Sequence, residues 1–293
     1  MTPTLTKYGV YYTVGHGINT KLTHKKNNLM TQLNLTNKQQ KILTLIPRFR
    51  FIDRTHIQTF LKHKDKKRIN SWLKNLTEKE YIQRIYDNQI VGKNRRAAIF
   101  SLNNNGVKFV KALGIYDRSF IHKLYWDKDR SDAFIERCLF IATICCELEK
   151  KESNILHYEY ATESDFCDPT NSFHFLKVSK LPIDLYFKKE MVRKTKHFLL
   201  TFFEQTLPRY RLRKRIRDYL EFYYSNTWEN LTNTKFPTLL LVFQTKERMI
   251  YAKRYIKTLF DEDKPDDLSI NLAVASDVQA EGGVTGEIWE EVE

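Results

Sequence analysis

The chain has 293 residues, 42% of them hydrophobic, enough to bury one large or two ordinary cores. It carries 49 Lys and Arg against 35 Asp and Glu; residues 261–293 hold eleven acidic side chains against Lys264, a net −10 that leaves residues 1–260 at about +24. A body that positive suits polyanions, with nucleic acid the first candidate, whereas the longest apolar run, 138–146, is nine residues where a membrane span needs about 20.

The N-terminal stretch lacks the basic flank and apolar core of a secretory signal, so a cytoplasmic protein without a membrane partner is expected. Four cysteines agree. Cys138, Cys145 and Cys146 fall in one apolar helical pattern and Cys167 has no C-x-x-C partner, which reads as buried reduced thiols.

Residues 1–35 mix Thr, Asn, Lys and Gly without a sustained period, giving a flexible basic arm with room for a short strand near Tyr11. Thr36 is placed to cap a first helix whose Ile42, Leu43, Leu45 and Ile46 precede a stop at Pro47. Asp53 caps a second, 54–61. A third helix spans 66–76, with Ile69, Trp72, Leu73 and Leu76 on one face and Lys67, Asn70, Ser71 and Lys74 on the other.

The period then shifts towards two: Tyr81, Ile82, Ile85 and Tyr86 form a strand, 87–96 a polar loop, and 97–102 a returning strand. Three helices followed by a hairpin spell a winged helix over 36–125. Its third helix offers Asn70 for a bidentate contact with adenine, Lys67 and Lys74 for guanine or phosphate, and Lys66 and Ser71 beside them. The wing adds Lys93, Arg95 and Arg96. Double-stranded DNA is the expected partner; a protein-interaction module is the alternative, and a homodimer is compatible with either.

Asn103 to Gly106 reads as a turn before a helix over 107–113, and 114–130 as a polar connection. A second unit, 126–260, opens with a helix over 131–150. Strand patterns follow at 157–160, 172–178, 183–187 and 197–204, then a basic helix at 208–224, a buried strand at 238–243 and a helix at 246–260. The basic helix sets Leu212, Ile216, Tyr219, Leu220 and Tyr223 inward and Arg209, Arg213, Arg215 and Arg217 outward, as a surface for the DNA backbone. The acidic segment 261–293 is expected to stay mobile.

Asp184 and Glu204 each sit at a strand end, and adjacent strand-end carboxylates can converge on a divalent cation. The runs LPIDLYF at 181–187, FFEQT at 202–206, RKRIRDY at 213–219 and FPTLLLVF at 236–243 resemble the plasmid replication-relaxation family. The resemblance covers roughly 36–260 and implies an α+β chain: a winged helix-turn-helix followed by a domain similar to PD-(D/E)XK nucleases, a mixed sheet flanked by helices. It implies Asp184 and Glu204 as ligands for Mg²⁺ or Mn²⁺, with Glu136 as a further carboxylate, and a role in replication or mobilisation beside other replication or relaxosome proteins.

The nuclease pattern wants Glu-x-Lys, and this chain has Glu204-Gln205-Thr206. Two readings follow. In an active nicking enzyme, Lys214 or Arg211 replaces the missing base; in a degenerate core, no cofactor is held and Asp184 and Glu204 are paired internally. The His-hydrophobe-His cluster of other relaxases is absent, since no His-x-His triplet occurs among the eight histidines.

Overall fold

The computed structural model describes residues 5–6, 9–10, 35–85 and 97–292, apart from 193, 264, 266 and 281. β1 (Leu5–Thr6) and β2 (Gly9–Val10) form a short antiparallel pair. The remainder of the basic arm, Tyr11 included, and the wing residues 86–96 lie outside the described residues.

The N-terminal unit begins with α1 (Asn37–Phe49). Thr36 and Gln39 close a capping box, the Gln39 N–H donating to Thr36 Oγ1 at 3.3 Å and the Thr36 N–H to Gln39 Oε1 at 2.9 Å. The helix does not stop at Pro47. That residue lies in the last turn, where its fixed φ suits the helix and the missing N–H forfeits a single bond. Arg50, at φ 66°, ends it.

β3 (Ile52–Asp53), α2 (Arg54–Phe60), α3 (Lys66–Glu78), β4 (Ile82–Ile85) and β5 (Ile99–Leu102) complete the unit, with sheet order β3-β5-β4. This is the order of a winged helix. α4 (Asn104–Leu113) starts inside the expected turn because Asn103 caps it, and Gly106 is needed there: a Cβ would stand 2.1 Å from the Tyr81 carbonyl oxygen.

The expected polar connection contains α5 (Arg118–Tyr125), which buries Phe120, Ile121 and Leu124. α6 (Asp132–Lys151) leads to β6 (Leu156–Thr162), α7 (His174–Val178), β7 (Leu185–Met191) and β8 (Lys194–Phe203). The strand expected over 172–178 is thus largely a helical turn, whose Ser179 N–H returns to the Phe175 carbonyl at 2.9 Å. α8 (Arg209–Tyr224), α9 (Thr227–Thr232), β9 (Thr238–Phe243) and α10 (Lys246–Glu262) follow.

The acidic segment is ordered, contrary to expectation. β10 (Ile270–Val274) pairs in parallel with β9, and α11 (Ala275–Gln279) and β11 (Glu290–Glu291) close the chain. The charges lie on exposed positions such as Asp261, Asp277 and Glu287, while Ile270 and Leu272 supply a buried strand. Lys253 also pairs with Glu290 at 3.0 Å.

The six strands run β11-β10-β9-β8-β7-β6, with β6, β7 and β8 an antiparallel meander and β8, β9 and β10 parallel. Parallel neighbours need crossovers, and α8 and α10 provide them. One face, through Leu185, Phe187, Leu200 and Phe202, shares a continuous core with α6 and the N-terminal unit. The other, through Tyr186, Leu199, Phe203 and Leu241, packs on α8 and α10. The layers are therefore N-terminal unit with α6, sheet, and α8 with α10.

Arg48 at the end of α1 rivets the first two layers: its Nε donates to Asp165 at 2.8 Å and an Nη to the Tyr160 carbonyl at 2.8 Å. Among the described residues no helix is long and apolar enough to cross a membrane.

Candidate nucleic-acid interface and carboxylate centre

α3 is built to present one polar face. Asp65 caps it, accepting the Lys67 N–H at 2.8 Å, and Ile69, Leu73 and Leu76 are buried against the core. Trp72 is half-buried, edge-on to the His63 ring at 5.0 Å. Lys66, Lys67, Asn70, Ser71 and Lys74 are all exposed, the last four at i, i+3, i+4 and i+7 along one stripe. Lys74 lies 3.8 Å from Glu78, but with both side chains in solvent that pairing is weak and leaves Lys74 free to move.

Asn75, the next asparagine, is committed elsewhere: its Oδ1 accepts from Gln39 Nε2 at 2.8 Å and ties α3 to α1. Arg68 is an exposed cation in the same turn that pattern reading passed over, and Arg84 on β4 stands exposed near the base of the wing. Lys93, Arg95 and Arg96 lie outside the described residues.

The carboxylate centre lies between α6 and the sheet. Asp184, immediately before β7, is buried; its Oδ2 accepts the Phe202 N–H at 2.7 Å and its Oδ1 accepts Arg137 Nε at 2.6 Å. An Arg137 Nη adds a second contact to the same oxygen, and the other Nη stands 3.9 Å from Glu204. The two strand-end carboxylates converge as expected, but on a guanidinium.

Burial opposes charge on Arg137, yet Asp184, with Glu163 and Glu204, raises its pKa above the ordinary value. Burial likewise pushes the Asp184 carboxyl up, against the pull of Arg137 and the Phe202 N–H. Arg215 was expected to point outward. It is half-buried over the Phe203 ring, 5.9 Å from its centroid, where burial and Arg137 lower its pKa against the pull of Asp184 and Glu204.

The remaining sequence candidates are not brought to this point. Glu136 is exposed and lines a groove with Asp53, His56 and Glu147. Lys214 is exposed and bound to Asp218 at 2.7 Å, and Arg211 is exposed beside the Tyr210 hydroxyl at 3.1 Å. Both point into solvent because the inward positions of α8 are taken by Leu212, Ile216 and Tyr219.

Among the described residues no three of His, Cys, Asp and Glu are grouped to hold a metal ion. A divalent cation of the Mg²⁺ type requires several free oxygens. Both Asp184 oxygens are already accepting hydrogen bonds and a fixed cation stands between the carboxylates, so the residues in this arrangement do not fit the metal. The thiols of Cys138, Cys145 and Cys146 are pushed up by burial, and Cys167 to about 11, so all four are protonated.

Arg209, Arg213 and Arg217 are exposed along α8, beside Tyr251 and Tyr255 of α10. α8 packs on the sheet face opposite to α6 and α3, so these arginines do not extend the α3 surface.

No protein-family model matches the sequence, and no curated protein matches it. Solved structures resemble part of the chain. RV1404 from Mycobacterium tuberculosis is 16% identical, covering 40% of this chain and 76% of its own, with a TM-score of 0.28. A cysteine-to-serine mutant of MarR from E. coli, complexed with operator DNA, is 18% identical over 40% of this chain and 80% of its own, TM-score 0.26. A phenylalanine-to-leucine mutant of S. aureus MepR bound to an oligodeoxyribonucleotide is 20% identical over 45% of this chain and 91% of its own, TM-score 0.28.

Proposed function

We propose that this chain binds double-stranded DNA through α3, and that its α/β unit is a nuclease-like scaffold whose carboxylate centre is neutralised by Arg137. The observation that carries the reading is the grouping of Lys66, Lys67, Asn70, Ser71 and Lys74 on the exposed face of the third helix of a winged helix. The net positive body supports it, since neutralising phosphates releases counterions. The resemblance to the replication-relaxation family supports a role in replication or mobilisation of a plasmid or similar element.

The test is fluorescence anisotropy with the purified full chain and a duplex pool from its own element. Lys67→Ala with Lys74→Ala is expected to weaken binding about tenfold or more at moderate salt, as the loss of two phosphate or base contacts requires. Unchanged affinity would overturn the assignment to α3.

A second reading, metal-dependent nicking, draws on the convergence of Asp184 and Glu204 near Arg137. It requires the guanidinium to leave. Incubating supercoiled plasmid with the protein and Mn²⁺ tests it: open circles formed by the wild type and not by Asp184→Asn would favour this reading.

A further inference from the structure

Three arginines of α8 carry chemistry that the α3 surface does not use. Arg209, Arg213 and Arg217 recur at i, i+4 and i+8, forming one exposed row about 12 Å long at 1.5 Å per residue. The row ends at Glu221, one turn further on. α10 sets Tyr251 and Tyr255 alongside at the same spacing.

The two sets interleave. Arg209 lies 4.8 Å from the Tyr251 ring centroid; Arg213 stands between the rings, 5.5 Å from Tyr251 and 5.3 Å from Tyr255. Arg213 Nε donates to the Tyr251 hydroxyl at 2.5 Å, and Arg217 reaches the Tyr255 hydroxyl at 3.4 Å. Among the described residues none of these three guanidiniums is paired with a carboxylate. Lys214, on the adjacent stripe, is paired with Asp218.

A tyrosine orders a guanidinium without cancelling its charge. The row is therefore held in place, still fully cationic, with most of its N–H donors turned to solvent. Each arginine ordered in advance removes part of the side-chain entropy that a ligand would otherwise have to offset. The complement of such a row is a line of anions, and guanidinium forks match phosphate oxygens.

The layering separates this row from α3. α8 and α10 cover one face of the six-stranded sheet, while α6 and the N-terminal unit cover the other. A straight duplex seated on α3 cannot also lie along α8 with the sheet and α6 between them.

We infer that the α8 row is a second nucleic-acid surface, which grips the sugar–phosphate backbone of a segment separate from the one on α3. The inference rests on the reading of the chain as a DNA-binding protein and adds to it the capacity to hold two segments at once.

A bridging assay tests it. The full chain is loaded onto an immobilised duplex, washed, and offered a labelled second fragment, in one arm duplex and in another single-stranded. Wild type is expected to capture at least one form. Arg209→Ala, Arg213→Ala and Arg217→Ala together should keep binding to the first duplex within about twofold and lose capture by about tenfold or more, as removal of up to three phosphate contacts requires. The matching triple change to Lys, which keeps charge but loses the fork, should recover part of the capture.

Which form is captured identifies the ligand. Capture that survives the triple Ala variant, as two α3 surfaces in a dimer would give, overturns the inference while leaving the role of α3 intact. So does a wild type that binds the first duplex and captures nothing. If Lys67→Ala with Lys74→Ala changes nothing while the triple variant abolishes all DNA binding, the α8 surface stands and the assignment to α3 fails.

Discussion

Arg137 of α6 holds Asp184 through two nitrogens and stands 3.9 Å from Glu204, so a single guanidinium occupies the point where two strand-end carboxylates meet. The pair is nearly dry, with side-chain exposures of 17% and 4%. Removing one partner leaves the other charged and unpaired. Asp184→Ala is expected to lower stability by about 3–5 kcal/mol in urea unfolding. Asp184→Asn, which retains an acceptor for the Phe202 N–H, should lose less. Equal stability of wild type and Asp184→Ala would show that the pair contributes nothing to the fold.

The same residues show where pattern reading ends. α1, α3 and β9 were legible because their apolar residues recur at helical or strand spacing, and Thr238–Phe243 matches its expected range. α5 was missed, since Phe120, Ile121 and Leu124 make too short a stripe among polar neighbours. The tail misled through its charge, which outweighed the five-residue run Ile270–Val274 that inserts as a strand. Asp184 was singled out, but its partner lies 47 positions away and no local period links them. One signal was present: Arg137 interrupts the apolar stripe of α6 beside Cys138 and Ile141, and a cation there demands a counter-charge.

Arg50 and Asp127 form a second buried pair, with side-chain exposures of 7% and 1%. Arg50 ends α1 at a positive φ, and Asp127 follows α5, so the pair fixes both helix ends at once. Asp127→Ala would strand the guanidinium over the Phe134 ring, 4.5 Å from its centroid, without an acceptor. A loss of about 3–5 kcal/mol is expected. Double-mutant analysis with Arg50→Met checks it: the double variant should be more stable than Asp127→Ala alone.

His56 makes stability depend on pH. Its Nδ1 accepts the Asp53 N–H at 3.2 Å and its Nε2 meets Thr143 Oγ1 at 3.0 Å, an arrangement that suits the neutral ring. Burial lowers its pKa below the ordinary 6.5, more strongly than Asp53 raises it, and Lys150 adds to the lowering. A depressed folded-state pKa means that the unfolded chain binds the proton first. The stability is therefore complete above pH 6.5 and is lost as pH falls through the folded value. His197, also lowered by burial, adds to the same trend. Thermal unfolding from about pH 7.5 to 5.5 should show a falling midpoint in wild type and a shallower fall in His56→Gln. Parallel slopes would remove His56 from the account.

The α3 face separates two kinds of contact that salt can distinguish. Lys66 opens the helix and Asn70 sits one turn further along, both exposed, but only the amide can read a base edge bidentately. Lys66→Ala should weaken binding to every duplex by a similar factor and reduce the slope of log affinity against log salt by about 1. Asn70→Ala should leave that slope unchanged and cost about 1–3 kcal/mol on the preferred site alone, flattening the difference between preferred and scrambled duplexes. Titrations of both variants at three salt concentrations decide it. If Asn70→Ala weakens all duplexes equally, α3 grips the backbone without reading sequence, and specificity must come from the wing or from the shape of the DNA.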